Sequence, residues 1–393
     1  HQPKYSTKSV NKPSSKGATS VDVGGNMEMR KLWEAARKPV LMDSEGNYVE
    51  LRKDNWRTTI DGIYIISPQG LDLDSSCAHC DIMEIIPEYY YKVQNYKFGE
   101  SDMCRCWFSL SPIPGGRKIA QQVVGKFKAH IKDNNGVEEM RSIPNVVPSC
   151  DKTLREFWLR VRNKAENQGV ADINFRNYLM FHTMSKYKTR NVQSLTNKSN
   201  PDYVGASSNT SWKGLDGSSI TLTETQISQG ITEFDLQRSI PTGLSYSVES
   251  DGAYFADLNT KSYGVSIGGF ENPYGQYWEF VQGIATSGNY VVHWEGNMVP
   301  SSPNSSLSSY SFARAKVSEV MPAAEGGAYE TKVHISSANQ QIYMFPEEIY
   351  SISNGLLNYR DLYYYDAAGE VVCYGGKPGN NSDGMRDFKV GLM

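Results

Sequence analysis

A chain of 393 residues exceeds what a single hydrophobic core usually supports, so two or three domains are expected. Charged residues make up 21%, and 40 basic against 43 acidic side chains leave a formal net charge of -3, which excludes recognition of nucleic acid or an anionic membrane through bulk charge. No apolar run reaches the roughly eighteen residues of a membrane-spanning helix, so no membrane insertion is expected. The sequence begins at His1 rather than Met, so a secretion signal is neither indicated nor excluded.

Residues 1–26 are rich in Lys, Ser and Gly with almost no large apolar side chain, and cannot bury enough surface to fold alone. They read as an arm, either ordered by a neighbouring subunit or left as a tail. Residues 27–38 have helical periodicity, with Leu32 and Trp33 on the apolar side and Pro39 as the stop. From Pro39 to about Ile131, short strands punctuated by turn signals follow: DSEGNYVEL, TTIDGIYIIS, IMEIIPEYYYKV, CRCWFSLSPIPGG and VVGKFKAHIK.

Four of the six cysteines fall here, as Cys77-x-x-Cys80 and Cys104-x-Cys106. They fit either a four-thiolate zinc site, with a second knuckle tighter than usual, or ordinary thiols, and no metal is assigned.

Two helices come next. Thr153 and Glu156 form a capping box ahead of Leu154, Phe157, Trp158, Val161 and Ala165, a run ended by Gly169. Phe175, Tyr178, Leu179 and His182 make one face of a second helix reaching about Lys188. After Asn191 the chain turns to Ser, Thr, Gly and Asn with brief apolar strands, the composition of a domain whose work is done on loops. SSPNSSLSSYS (301–311) and GGKPGNNSDG (375–384) are its most polar stretches.

The expected class is α+β: an extended arm and short helix over 1–38, a β-rich region over 39–150, and a mixed domain over 151–393 that contains the helical pair.

Catalytic signatures are missing from the sequence. There is no phosphate-cradling GxxxxGK[ST] loop, no Rossmann glycine pattern, no helical His pair and no serine nucleophile turn. Asp72 and Asp74 are too few for a calcium loop. No catalytic residue, metal or cofactor is expected. The 25 Tyr against 13 Phe, clustered at Tyr89–Tyr91 and Tyr363–Tyr365, suit either a half-buried sheet or a surface that binds sugar or protein.

The segment GGFENPYGQYWEFVQG (268–283) carries a family resemblance, with Glu271, Asn272, Pro273, Gly275, Trp278 and Gly283 in order and Phe280 where a second tryptophan is usual. It resembles the core motif of tail-fibre and receptor-binding virion proteins from gut Bacteroidales phages. More loosely, it is similar to C-type-lectin-like and formylglycine-generating-enzyme-like domains. IMEIIPEYYYKV (82–93), SLSPIPGG (109–116), the helix from Ile173 and the closing Tyr374-Gly375-Gly376 hairpin fall in that family's order, so the resemblance covers about 40–393.

It implies a C-type-lectin-like domain on a virion protein, assembled in the host cytoplasm and exposed on the particle. The partners it implies are other virion proteins, a host-surface glycan or protein, and further copies of the chain, with a trimer favoured. It also implies a ligand face built from NYVVHWEG (289–296) and the polar turn before the last strands. Tyr290, Trp294, Asn380, Asn381 and Asp383 supply the aromatic plates, amides and carboxylate that sugar recognition needs. Glu271, Trp278 and Gly283 are expected to be structural. The remaining alternatives are a bacterial adhesin with a lectin-like domain and a carbohydrate-degrading tailspike.

Overall fold

A computed structural model describes residues 6–11, 21–23, 34–66, 77, 79–99, 101–150, 152, 154–187, 223–230, 241–243, 245–247, 252–253, 264–271, 273, 278–287, 290–293 and short strands between 316 and 392. The architecture is mixed helix and strand, mostly sheet, as the α+β expectation holds.

Strands β1 (Ser6–Asn11) and β2 (Val21–Val23) form a hairpin. Next come β3 (Lys38–Met42), β4 (Tyr48–Glu50), β5 (Asp81–Ile86), β6 (Tyr89–Phe98), β7 (Ser101–Ser109), β8 (Arg117–Ile119) and β9 (Gln122–Gly125). The hairpin of β10 (His130–Asn134) and β11 (Val137–Arg141) turns on Asn135 and Gly136, both at positive φ, the pair a tight right-twisting turn selects. Helix α1 (Leu154–Lys164), strand β12 (Gln168–Val170) and helix α2 (Ile173–Tyr187) follow. The later strands are β13 (Ser245–Ser247), β14 (Gly252–Ala253), β15 (Gly264–Ile267), β16 (Phe270–Glu271), β17 (Trp278–Ser287), β18 (Tyr290–His293), β19 (Lys316–Val320), β20 (Ala328–Glu330), β21 (Val333–Ser336), β22 (Gln341–Pro346), β23 (Ile349–Tyr350), β24 (Leu362–Tyr364), β25 (Val371–Gly375), β26 (Arg386–Asp387) and β27 (Val390–Leu392).

A six-stranded antiparallel sheet, in the order β12-β27-β9-β5-β3-β4, organises the molecule. It draws strands from both sides of residue 150, because β27 slots between β9 and β12. Strand β5 is buried at every position, so both faces of the sheet are covered. Alternation sorts its side chains: Met83 and Ile85 join Val40, Met42 and Val123 under Leu154, Phe157 and Val161 of α1, while Ile82 joins Leu51, Trp56, Ile65, Ile66 and Phe127. Trp56 meets Phe127 edge-on, with ring centroids 5.0 Å apart.

The two helices cover different surfaces. Helix α1 packs on the six-stranded sheet, and its buried Leu154, Phe157 and Val161 are those the periodicity indicated. Helix α2 faces the second sheet, β2-β1-β7-β6-β8: Phe181 lies 3.7 Å from the Phe108 ring and 6.0 Å from that of Tyr91, and Tyr178 lies 6.4 Å from Tyr89. Its other aromatic neighbour is Phe270, 4.7 Å from Phe175. The tyrosine-rich β6 is thus used in packing at Tyr89 and Tyr91, both buried, and burial holds the Tyr89 hydroxyl well above its ordinary pKa.

Three elements depart from the sequence reading. Of the helix expected over 27–38, residues 27–33 lie outside the described residues and 34–36 are helical, but Lys38 and Pro39 already belong to β3, where the Pro39 carbonyl accepts from Leu51 N–H at 2.8 Å. The run from Thr58 is a bridged loop, with Leu51 paired to Thr59 and Thr58 to Tyr64, leaving Ile60, Ile63 and Tyr64 exposed. The first helix stops at Lys164, and Gly169 sits inside β12. The capping-box Thr153 lies outside the described residues.

Candidate functional site

The GGFENP turn is seated on the six-stranded sheet by buried charge. Gly268 and Gly269 turn at φ 62° and 87°, a left-handed conformation natural to glycine. At Gly269 a Cβ would collide with the Arg37 guanidinium and stand 2.6 Å from Glu84 Oε1. The close approach is needed because the Gly269 carbonyl accepts from Lys126 Nζ at 2.5 Å.

Three buried carboxylates are each held between two cations. Glu84 on β5 pairs with Arg37 and with Lys126 at 2.9 Å. Glu279 on β17 pairs with Lys128 at 2.8 Å and Arg176 of α2 at 3.0 Å. Asp81 at the start of β5 pairs with Arg141 at 3.1 Å and with Lys164 of α1. In Lys126-Phe127-Lys128, which follows β9, Phe127 joins the Trp56 cluster and both lysines reach the carboxylates. Arg176 also donates to the Pro273 carbonyl at 2.6 Å, tying α2 to the proline of the turn.

Burial opposes ionisation of Asp81, but Lys164 and Arg141 outweigh it and hold the carboxyl below its ordinary pKa. Two further carboxylates are satisfied by amides. Glu271 is 3% exposed and accepts from Gly243 N–H at 2.9 Å. Asp172 caps α2 by accepting from Phe175 N–H at 3.0 Å and takes Gln122 Nε2 at 2.7 Å; burial nonetheless raises its pKa. Glu271 is therefore a buried anchor, the structural role the sequence suggested.

The proposed ligand residues fall mostly outside the described residues. Only Tyr290 is placed, at the head of β18, where its backbone faces Ser287 of β17 and Val320 of β19. Trp294, Asn380, Asn381 and Asp383 lie outside the described residues, as does Tyr365. The anchors of the polar turn are placed, however: Gly375 of β25 and Arg386 of β26 both face Trp278, on opposite sides of β17. At about 3.3 Å per residue, Trp278 and Ser287 are up to roughly 30 Å apart along the strand, less the irregularity between Phe280 and Ala285. The described anchors of the two stretches therefore lie toward opposite ends of β17.

No protein-family model and no curated protein matches this sequence.

Cys77 and Cys80 are paired with Cα atoms 5.3 Å apart, within the span of a disulfide. Cys104 and Cys106 are placed only as backbone, on β7. Among the described residues no group of three or more His, Cys, Asp or Glu is arranged to hold a metal ion. No described helix is long and apolar enough to cross a membrane.

The buried ion clusters and the α2 cap are what sequence reading missed. Lysines alternating with an aromatic look like a solvated strand face, and no local signal distinguishes Lys126 and Lys128 from surface lysines.

Proposed function

We propose that this chain is a virion protein of a tailed phage, a tail-fibre or receptor-binding module with a C-type-lectin-like domain that attaches the particle to a host-surface glycan. The observation that carries the reading is the seating of the GGFENP turn. The motif residues Glu271 and Pro273 are held against the sheet by backbone and charge, which suits a rigid base from which long polar loops project. In this reading the described buried acids serve as ion-pair anchors and caps, and the chain binds without catalysing. Tyr290, Trp294, Asn380, Asn381 and Asp383 form the proposed contact set. The protein is present in several copies beside other virion proteins, on a particle assembled in the host cytoplasm.

Mass spectrometry of purified particles tests the assignment, since an adhesin encoded by the host would be missing from them. Binding of the purified chain to host cells tests attachment, and its loss after periodate treatment of the cells identifies a glycan. Release of reducing sugar from host capsule would instead favour the tailspike. Absence from particles together with no host-cell binding would overturn the proposal.

A further inference from the structure

The turn that leads into β5 carries two thiols in unequal settings. Cys80 is 3% exposed, whereas Cys77 is only half-buried. The Cys80 N–H donates to the Cys77 carbonyl at 3.2 Å, which closes the turn and keeps the two sulfurs' residues within disulfide span of each other. The turn is anchored on the β10–β11 hairpin at two points. Arg141 donates through Nη2 to the Cys80 carbonyl and through Nε to Asp81 at 3.1 Å. His79, between the two cysteines, has its Nδ1 3.4 Å from Glu139 Oε2 and 3.3 Å from Asn134 Nδ2.

This arrangement separates two chemical roles. Exchange with a disulfide needs one accessible sulfur to attack and a second, within reach, to attack in turn. Cys77 is the accessible one, and Cys80 is screened from solvent while standing beside it. The Arg141 guanidinium at the Cys80 carbonyl adds a positive charge near the pair, and thiols beside arginine or in Cys-x-x-Cys turns ionise more readily than a free cysteine.

We propose that Cys77 and Cys80 form a reversible thiol–disulfide pair that reacts with low-molecular-weight disulfides, Cys77 attacking and Cys80 resolving. In the first step the Cys77 thiolate attacks one sulfur of the small disulfide, whose S–S bond breaks and releases one small thiolate. In the second the Cys80 thiolate attacks the Cys77 sulfur, forming the Cys77–Cys80 bond and releasing the other. The two cysteines are oxidised, the small disulfide is reduced to two thiols, and those thiols carry away the two protons that the cysteines gave up. This chemistry is independent of what the particle binds, so its failure would leave the attachment reading untouched.

The test uses oxidised glutathione as the small disulfide. The full-length chain, reduced and then freed of reductant, is mixed with it, quenched in acid at intervals and mapped by peptide mass spectrometry, beside Cys77→Ser and Cys80→Ser. The parent should pass through a glutathione adduct at Cys77 and end with a Cys77–Cys80 bond and no glutathione on either residue. Cys80→Ser should keep the adduct at Cys77, while Cys77→Ser should acquire one at Cys80 at least about tenfold more slowly, because the attacking thiol must be accessible. No reaction at Cys77, a lasting adduct on the parent, equal labelling of the two variants, or a bond from either residue to Cys104 or Cys106 would overturn the assignment. The parent's own time course gives the order of attack without any substitution, so the test stands even if a variant folds poorly.

Discussion

Glu84→Gln is the sharpest probe of the buried charge that seats the turn. The substitution keeps shape and removes the negative charge between Arg37 and Lys126, whose side chains are 10% and 4% exposed. Two buried cations would then face each other without a counter-charge between them, and the amide would offer one acceptor oxygen and an NH2 donor where the carboxylate offered two acceptors. Removing one partner from a buried ion pair typically costs about 3–5 kcal/mol. At about 2–4 °C per kcal/mol for a body of 150–250 residues, the melting temperature should fall by roughly 6–20 °C. Lys126→Met provides the contrast, because it leaves the neutral Arg37–Glu84 pair and should cost distinctly less. Urea titration followed by tryptophan fluorescence, with calorimetry beside it, measures both. A Glu84→Gln loss below about 1 kcal/mol, or a larger loss from Lys126→Met, would refute the reading that this carboxylate neutralises a buried pair of cations.

Gly269→Ala forces a Cβ onto Arg37 and Glu84 at a φ of 87°, and should destabilise by about 2–4 kcal/mol on the same urea assay. Asp172 has its pKa raised in the folded state, so its contribution is fully present below the unfolded carboxyl pKa and is lost as pH rises through the folded value. Asp172→Asn keeps an acceptor for the helix cap, so its stability relative to the parent should improve from pH 4 to pH 8; a flat difference would contradict the burial argument. Asp81 has the opposite sign: its stabilisation is present above the unfolded carboxyl pKa and is lost as pH falls through the lowered folded value, so Asp81→Asn should flatten the acid limb below about pH 4. Trp294→Ala should weaken host-cell binding by about 1–3 kcal/mol, or five- to 150-fold, with an unchanged melting temperature, and unaltered binding would remove that residue from the proposed contact.

The helices and the central strands were legible in the sequence because their signals are local. Leu154, Phe157 and Val161, and Phe175, Tyr178, Leu179 and His182, recur at helical spacing and all are buried. The apolar run at Ile82–Ile86 became the central β5, yet the Glu84 within it gave no hint of its two cations, which arrive from Arg37 and Lys126. Pairing of that kind is long-range and leaves no periodicity. The same holds for the register of β17, which sends Tyr290 and the anchors of the 376–385 turn to different ends of one strand. The Ile60–Tyr64 stretch misled for a local reason: β-branched and aromatic residues promise a strand, while Asp61 and Gly62 turn the chain, and Gly62 adopts a φ of 85°.

The position of β27 between β9 and β12 constrains how the molecule is made. A ribosome delivers β9 long before β27, and at about 5–20 residues per second the interval is on the order of tens of seconds. Throughout that time the hydrogen-bonding edge at Val123 and Val124 has no Leu392 or Gly391 to meet it, and the strand at Gln168–Val170 likewise lacks its partner. The central sheet therefore closes after synthesis of residue 392, and the nascent chain must keep two edges from pairing with other chains until then. Nonsense or frameshift lesions between β12 and β27 would leave both edges without their partner, and aggregation rather than a shorter folded protein is the expected outcome of such truncation.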